Sequence, residues 1–96
     1  MQSMALDSKF AAYILCLERC LEKTHRAEDR SIYEKYLVDA AGLLAACVDG
    51  VPIPELVARV ELHERLWGQT WLQDPIYREA AESFATAKDE LRRVAA

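Results

Sequence analysis

The chain has 96 residues, 52% of them hydrophobic and 29% charged, with a formal net charge of −4. That balance excludes a disordered or low-complexity chain and describes one domain with enough apolar material for a single core. Charge is mixed along the chain, seven acids against six bases in residues 1–48 and nine against six in residues 49–96, so nucleic acid, whose binding rests on a basic face, is a disfavoured partner.

Three cysteines form no even disulfide framework, and Cys16 and Cys20 lie one helical turn apart, beyond disulfide reach without distortion. A reducing, cytoplasmic location is the expectation. No segment approaches the roughly 20 apolar residues that span a bilayer, so no membrane partner is expected. The run Phe10–Leu17 resembles a signal-peptide core. It is preceded by Asp7 and Lys9 and followed by Glu18-Arg19, where small cleavage-site residues would stand.

Four helices are predicted, over about 5–24, 29–49, 54–72 and 75–94, arranged as a compact all-α antiparallel four-helix bundle of two helical hairpins. In the first helix, Leu6, Phe10, Tyr13, Leu17, Cys20 and Thr24 fall on one face at 4-3 spacing, with Ser3 or Asp7 as the N-cap. Ala11, Ala12 and Leu15 point largely the other way, giving this helix a second apolar side. His25–Arg30 is polar and reads as the first turn. Ser31 and Glu34 have capping-box spacing, with Asp29 a competing cap.

The second helix has the core stripe Tyr33, Tyr36 or Leu37, Ala40, Leu43 or Leu44, and Cys47. Ala41, Gly42, Ala45 and Ala46 form a band of small residues that admits close approach of another helix. Asp49-Gly50 ends it, with Gly50 suited to a left-handed C-terminal cap. Pro52 and Pro54 delay the next helix, which starts at Pro54. Its stripe is Leu56, Val57, Val60, His63, Trp67 and Trp71. Glu55–Arg59 and Glu61–Arg65 are spaced as ion pairs, and Gly68 is a candidate kink or end. Asp74-Pro75 restarts the chain as N-cap and first position. Tyr77, Ala80, Phe84, Ala87, Leu91 and Val94 form the last stripe, with an Arg78–Glu82 pair outside.

The stretch from Arg30 (RSIYEKYLVDAA) echoes that from Asp74 (DPIYREAAESFA), and Cys16–Leu21 echoes Leu62–Trp67. Duplication of a hairpin would leave this trace, and so would shared helical composition.

Three motifs bear on chemistry. Glu61, Leu62, His63, Glu64, Leu66, Gly68 and Gln69 resemble the phosphoacceptor region of a histidine-kinase dimerisation family, with Trp67 as an inserted residue. The resemblance makes His63 a candidate phosphoacceptor, which requires an accessible ring nitrogen. The hairpin at 42–60, with Ala46, Gly50, Val51 and Val57–Val60, resembles the helix-turn-helix of DNA-binding repressors. That resemblance implies a transcriptional regulator, although Glu55 and Glu61 on the second helix would face phosphate. Cys16, Cys20, Cys47, His25 and His63 are of metal-ligating type, and Glu22-x-x-His25 has the spacing of di-iron bundles, which need two such motifs. Buried cysteines serve equally as small hydrophobes, and no metal or other cofactor is expected. No G-x-S-x-G, phosphate loop or catalytic serine–histidine spacing occurs, so no enzyme is expected.

The expected function is a small non-catalytic protein-interaction or regulatory module of the adaptor, chaperone or inhibitor type, acting as a homodimer. Surplus apolar surface on the first two helices carries this expectation, with Ala11, Ala12, Leu15, Ala41 and Ala45 at the interface.

Overall fold

Because each apolar stripe repeats every three or four residues, each helix has one face that must leave water, and four such faces close on one another. The computed structural model describes residues 4–71 and 75–96, with the side chains of 5–67 and 75–96. It consists of α1 (Met4–Lys23), α2 (Ala27–Asp49), α3 (Ile53–Trp71), a 3₁₀ turn (Pro75–Tyr77) and α4 (Arg78–Ala95). Among the described residues there is no strand.

Helices α1 and α2, α2 and α3, and α3 and α4 are neighbours joined by short turns, and α1 closes the ring against α4. The result is an antiparallel four-helix bundle, 41 Å long and about 20 Å across. In this ring α2 is diagonal to α4, and α1 to α3. The packing is uneven: α1 makes broad contacts with α2 and α4, whereas α3 touches its two neighbours more thinly. The helix that carries the most sequence motifs is therefore the least embedded one.

The predicted stripes supply the core. Leu6, Phe10, Tyr13, Leu17, Cys20 and Thr24 are buried on α1, and Tyr33, Tyr36, Ala40, Leu43 and Cys47 on α2. Leu56, Val60 and His63 are buried on α3, and Ala80, Phe84, Ala87 and Leu91 on α4. Val57, Trp67 and Val94 are only half-buried, and Trp71 lies outside the described side chains. Towards one end an aromatic layer forms. Tyr33 and Tyr77, the tyrosines of the two echoing Ile-Tyr pairs, stack at 4.1 Å, and Tyr36 meets Trp67 edge-on at 4.4 Å.

Several helix ends differ from expectation. Helix α2 begins at Ala27, so Asp29 and Ser31 are inside it rather than capping it, and no side chain caps its start. The turn shrinks because Arg30 reaches back to α1, its guanidinium donating to the carbonyls of Leu21 (2.9 Å) and Thr24 (3.1 Å). A cation on the last carbonyls of α1 satisfies the C-terminus of that helix and fixes where α2 starts. Asp7 sits inside α1, and Ser3 and Asp74 lie outside the described residues. The Pro52 carbonyl accepts from Leu56 N–H at 3.1 Å, placing Ile53 first in α3 and Pro54 second, where a missing N–H costs nothing. Helix α3 runs through Gly68 without ending there. Pro75 opens the 3₁₀ turn, and α4 follows from Arg78.

Gly50 closes α2 as expected. At φ 78° it is left-handed, and Gly50 N–H and Val51 N–H bond to the carbonyls of Cys47 and Ala46. Gly42 behaves otherwise. A Cβ built there meets nothing within 4 Å, so packing inside the bundle does not require glycine. Gly42→Ala is expected to raise the stability of the dilute chain by up to about 1 kcal/mol, as measured by urea unfolding.

Candidate functional site

Two features of this bundle bear on function, one buried and one exposed. The buried one is a layer in which all four helices meet around His63. Tyr13 comes from α1, Asp39 from α2, His63 from α3 and Phe84 from α4. The His63 ring is 0% exposed. Its Nδ1 lies 2.6 Å from Asp39 Oδ2 and its Nε2 lies 2.6 Å from the Tyr13 hydroxyl. A carboxylate only accepts, so Nδ1 carries the proton and donates to Asp39. The neutral ring then accepts at Nε2, and Tyr13 donates. Phe84 packs on both rings, 5.3 Å from His63 and 5.1 Å from Tyr13.

The electrostatics follow from burial. Desolvation pulls His63 below its ordinary value of 6.5 and outweighs Asp39, whose hydrogen bond and charge act to raise it. Burial pushes the Tyr13 phenol well above its ordinary range, helped by Tyr36 and Asp39. The layer is thus a neutral imidazole and a neutral phenol tied to one carboxylate. Asp39 is 46% exposed, so only the end of the chain of hydrogen bonds meets solvent.

This geometry answers the phosphoacceptor expectation for His63. Both ring nitrogens are engaged and the ring has no exposed surface, so the accessibility which phosphotransfer requires is absent from this structure. The residue's partners, Tyr13 and Asp39, are 50 and 24 positions away in sequence. No local pattern marks them. The only trace was Tyr13 on the α1 core stripe, a buried hydroxyl in need of a partner.

The metal-type residues are not brought together. Cys16, Cys20 and Cys47 are all buried, each as a thiol. Cys20 donates to the Ile76 carbonyl at 3.3 Å, and burial, with Asp7 nearby, pushes Cys47 up to about 11. His25 is exposed in the turn. Among the described residues no group of three His, Cys, Asp or Glu side chains could hold a metal ion.

The helix-turn-helix-like hairpin exposes Glu55, Ala58, Arg59, Glu61, Leu62 and Arg65 on α3. Arg59 is paired with Glu55 at 2.8 Å, as the spacing predicts. The expected Glu61–Arg65 and Arg78–Glu82 pairs do not form. In their place Glu64 bonds Lys88 of α4 at 2.5 Å, and Arg19 of α1 bonds Glu79 of α4 at 2.6 Å. Beside the Glu64–Lys88 bridge, α3 and α4 diverge into a cleft of about 600 Å³ with Val57, Val60 and Leu91 on its floor.

The exposed feature is apolar. Among the described residues the large hydrophobic side chains left in solvent are Leu15 (53%), Val38 (76%), Val48 (63%), Leu62 (52%) and Leu66 (56%). All belong to α1, α2 or α3, and none to α4. On α2 the positions Val38, Ala41, Gly42, Ala45 and Val48 recur at three- and four-residue spacing, and all are exposed. This helix has an apolar stripe on its solvent side as well as on its core side, which the single-sided pattern of a surface helix does not give. From Leu37 to Val48 its only charge is Asp39, the partner of His63.

Of the residues expected at an interface, Ala41 and Ala45 lie in this stripe, and Leu15 is exposed on neighbouring α1. Ala11 is half-buried on the outer side of α1. Ala12 is exposed but falls, by 100° steps, on the flank of α1 that carries Cys16 and Arg19 towards α4. Ala41 and Ala45 thus share one exposed stripe of α2, Leu15 is exposed on α1, and Ala12 lies on another flank of α1. Val38 shares the α2 stripe, and Leu62 and Leu66 are exposed on α3, at positions not selected for the interface. No protein-family model matches the chain, and neither a curated protein nor a solved structure is similar to it.

Proposed function

We propose that the chain is a small non-catalytic interaction module that works as a homodimer through the face centred on α2. The observation that supports this reading is the solvent-side stripe Val38, Ala41, Gly42, Ala45 and Val48, with Leu15 also exposed on α1 and Leu62 and Leu66 on α3. An apolar face of this kind is costly in water and is commonly covered by a partner.

A second copy is the occupant that fits best. The centre of the stripe carries no charge, so it selects no partner of opposite sign. Small side chains on both sides of a two-fold axis let α2 and its symmetry mate approach closely. Gly42 also gains a reason there, since nothing within the bundle requires it. From Val38 to Val48 the stripe runs about 15 Å along α2, short for an obligate interface. Association in the micromolar range is expected rather than an obligate dimer.

His63, singled out by its sequence motif, is enclosed and the three cysteines are buried, which supports the non-catalytic reading. Sedimentation from about 1 μM to about 1 mM should show a reversible monomer–dimer equilibrium. Ala45→Glu should abolish it by placing a charge in the apolar centre. The control Ala85→Glu, at an exposed position on α4, should leave it intact. A chain that stays monomeric to about 1 mM contradicts the proposal.

A further inference from the structure

We propose that the Tyr13–His63–Asp39 layer is an acid-sensitive latch on α3: protonation of His63 reverses the Tyr13 hydrogen bond, buries a charge and loosens α3 from the other three helices. Helix α3 has the thinnest packing of the four, and among its described side chains the buried ones are Leu56, Val60 and His63. His63 alone among these makes hydrogen bonds, one to each of two other helices.

In the neutral layer the two hydrogen bonds run in one direction, Tyr13 O–H to Nε2 and Nδ1–H to Asp39. A proton added at Nε2 turns that acceptor into a donor that meets the Tyr13 O–H head-on. The Tyr13 O–H must then rotate inside a packed core so that its oxygen accepts instead of donating, and the imidazolium must sit where no water reaches it. The Asp39 carboxylate opposes this cost, because a cation at His63 would pair with it. However, Asp39 is half in solvent, which weakens the pairing. The other groups around the layer are Tyr36 on α2, Lys88 on α4, 6.0 Å from the Phe84 ring centre, and Glu64 on α3, bound to Lys88. None of these supplies a second carboxylate to the ring, and Lys88 is itself a cation.

The sign is consistent. His63 is held below its ordinary value, so the unfolded chain takes up the proton more readily than the folded one. The stability that neutral His63 contributes is fully present above about pH 6.5. It is lost as pH falls from there towards the folded value.

Amide hydrogen exchange, corrected for the intrinsic effect of pH, reads this directly. Between about pH 7 and about pH 5, protection of the amides of Leu56–Glu64 should fall about tenfold relative to those of Phe10–Leu17. His63→Gln, which does not titrate, should remove the difference. Should that variant fold poorly, two others keep the test decisive. Tyr13→Phe, which removes a donor to the neutral ring, should move the midpoint to higher pH. Asp39→Asn, which removes the charge favouring the cation, should move it lower. Unchanged protection of α3 at the lower pH, or equal loss in all four helices, overturns the latch. So does a midpoint that ignores both substitutions.

Discussion

Phe84→Ala should lower the unfolding free energy by about 3–5 kcal/mol, a large part of the roughly 5–15 kcal/mol available to a domain of this size. The ring is 1% exposed and sits in a layer to which all four helices contribute, against both Tyr13 and His63. Deleting it removes the transfer energy of the ring and leaves a cavity beside two polar side chains. Those side chains are fixed by their own hydrogen bonds and are poorly able to collapse into the space. Lys88, which lies over the ring and bonds Glu64, would lose its support as well. Urea unfolding followed by circular dichroism measures the change. A loss below about 1 kcal/mol would mean that this layer does not carry the bundle.

The second large effect concerns the polar half of the same layer. His63→Leu should cost about 2 kcal/mol, because Tyr13 loses its acceptor at 2.6 Å in a dry environment. Asp39 adds little to that cost, since its half-exposed carboxylate can turn to water. Combining His63→Leu with Tyr13→Phe should recover most of the loss, because removing both partners leaves neither group in need. A double-mutant cycle separates the pair from the packing change that each substitution brings. If the double variant loses as much as the sum of the single ones, the two residues act independently and the hydrogen bond is incidental.

The fold was legible in the sequence where a face repeats. The α1 stripe from Leu6 to Thr24 is buried at each of its six positions, and the α4 stripe from Tyr77 to Leu91 at each of its five. That success is local physics, since one helix determines which of its own residues share a side. Helix ends were less legible because the deciding group lay elsewhere. Ser31 and Glu34 have the spacing of a capping box, yet Arg30, binding the last carbonyls of α1, sets the start of α2 earlier. Glu64 likewise takes Lys88 from the next helix, while the Arg65 side chain stays exposed.

The candidate site was legible only in part. The exposure of Ala41, Ala45 and Leu15 was legible because alanines and a leucine opposite a complete core stripe have no place inside. Val38, Leu62 and Leu66 required knowing which helix faces remain uncovered after the ring closes. His63 was visible as an unusual residue on an apolar stripe. Its role was not, because that depends on Tyr13 and Asp39, which come from two other helices and meet it only in three dimensions.

We propose that the enclosed His63 ring stays neutral and that the work of the bundle falls to its surface. Nitrogen-15 NMR of the His63 ring tests it most directly. The predicted result is the Nδ1–H tautomer at neutral pH, titrating below the ordinary histidine value of 6.5. An Nε2–H tautomer, or titration at or above 6.5, would contradict it.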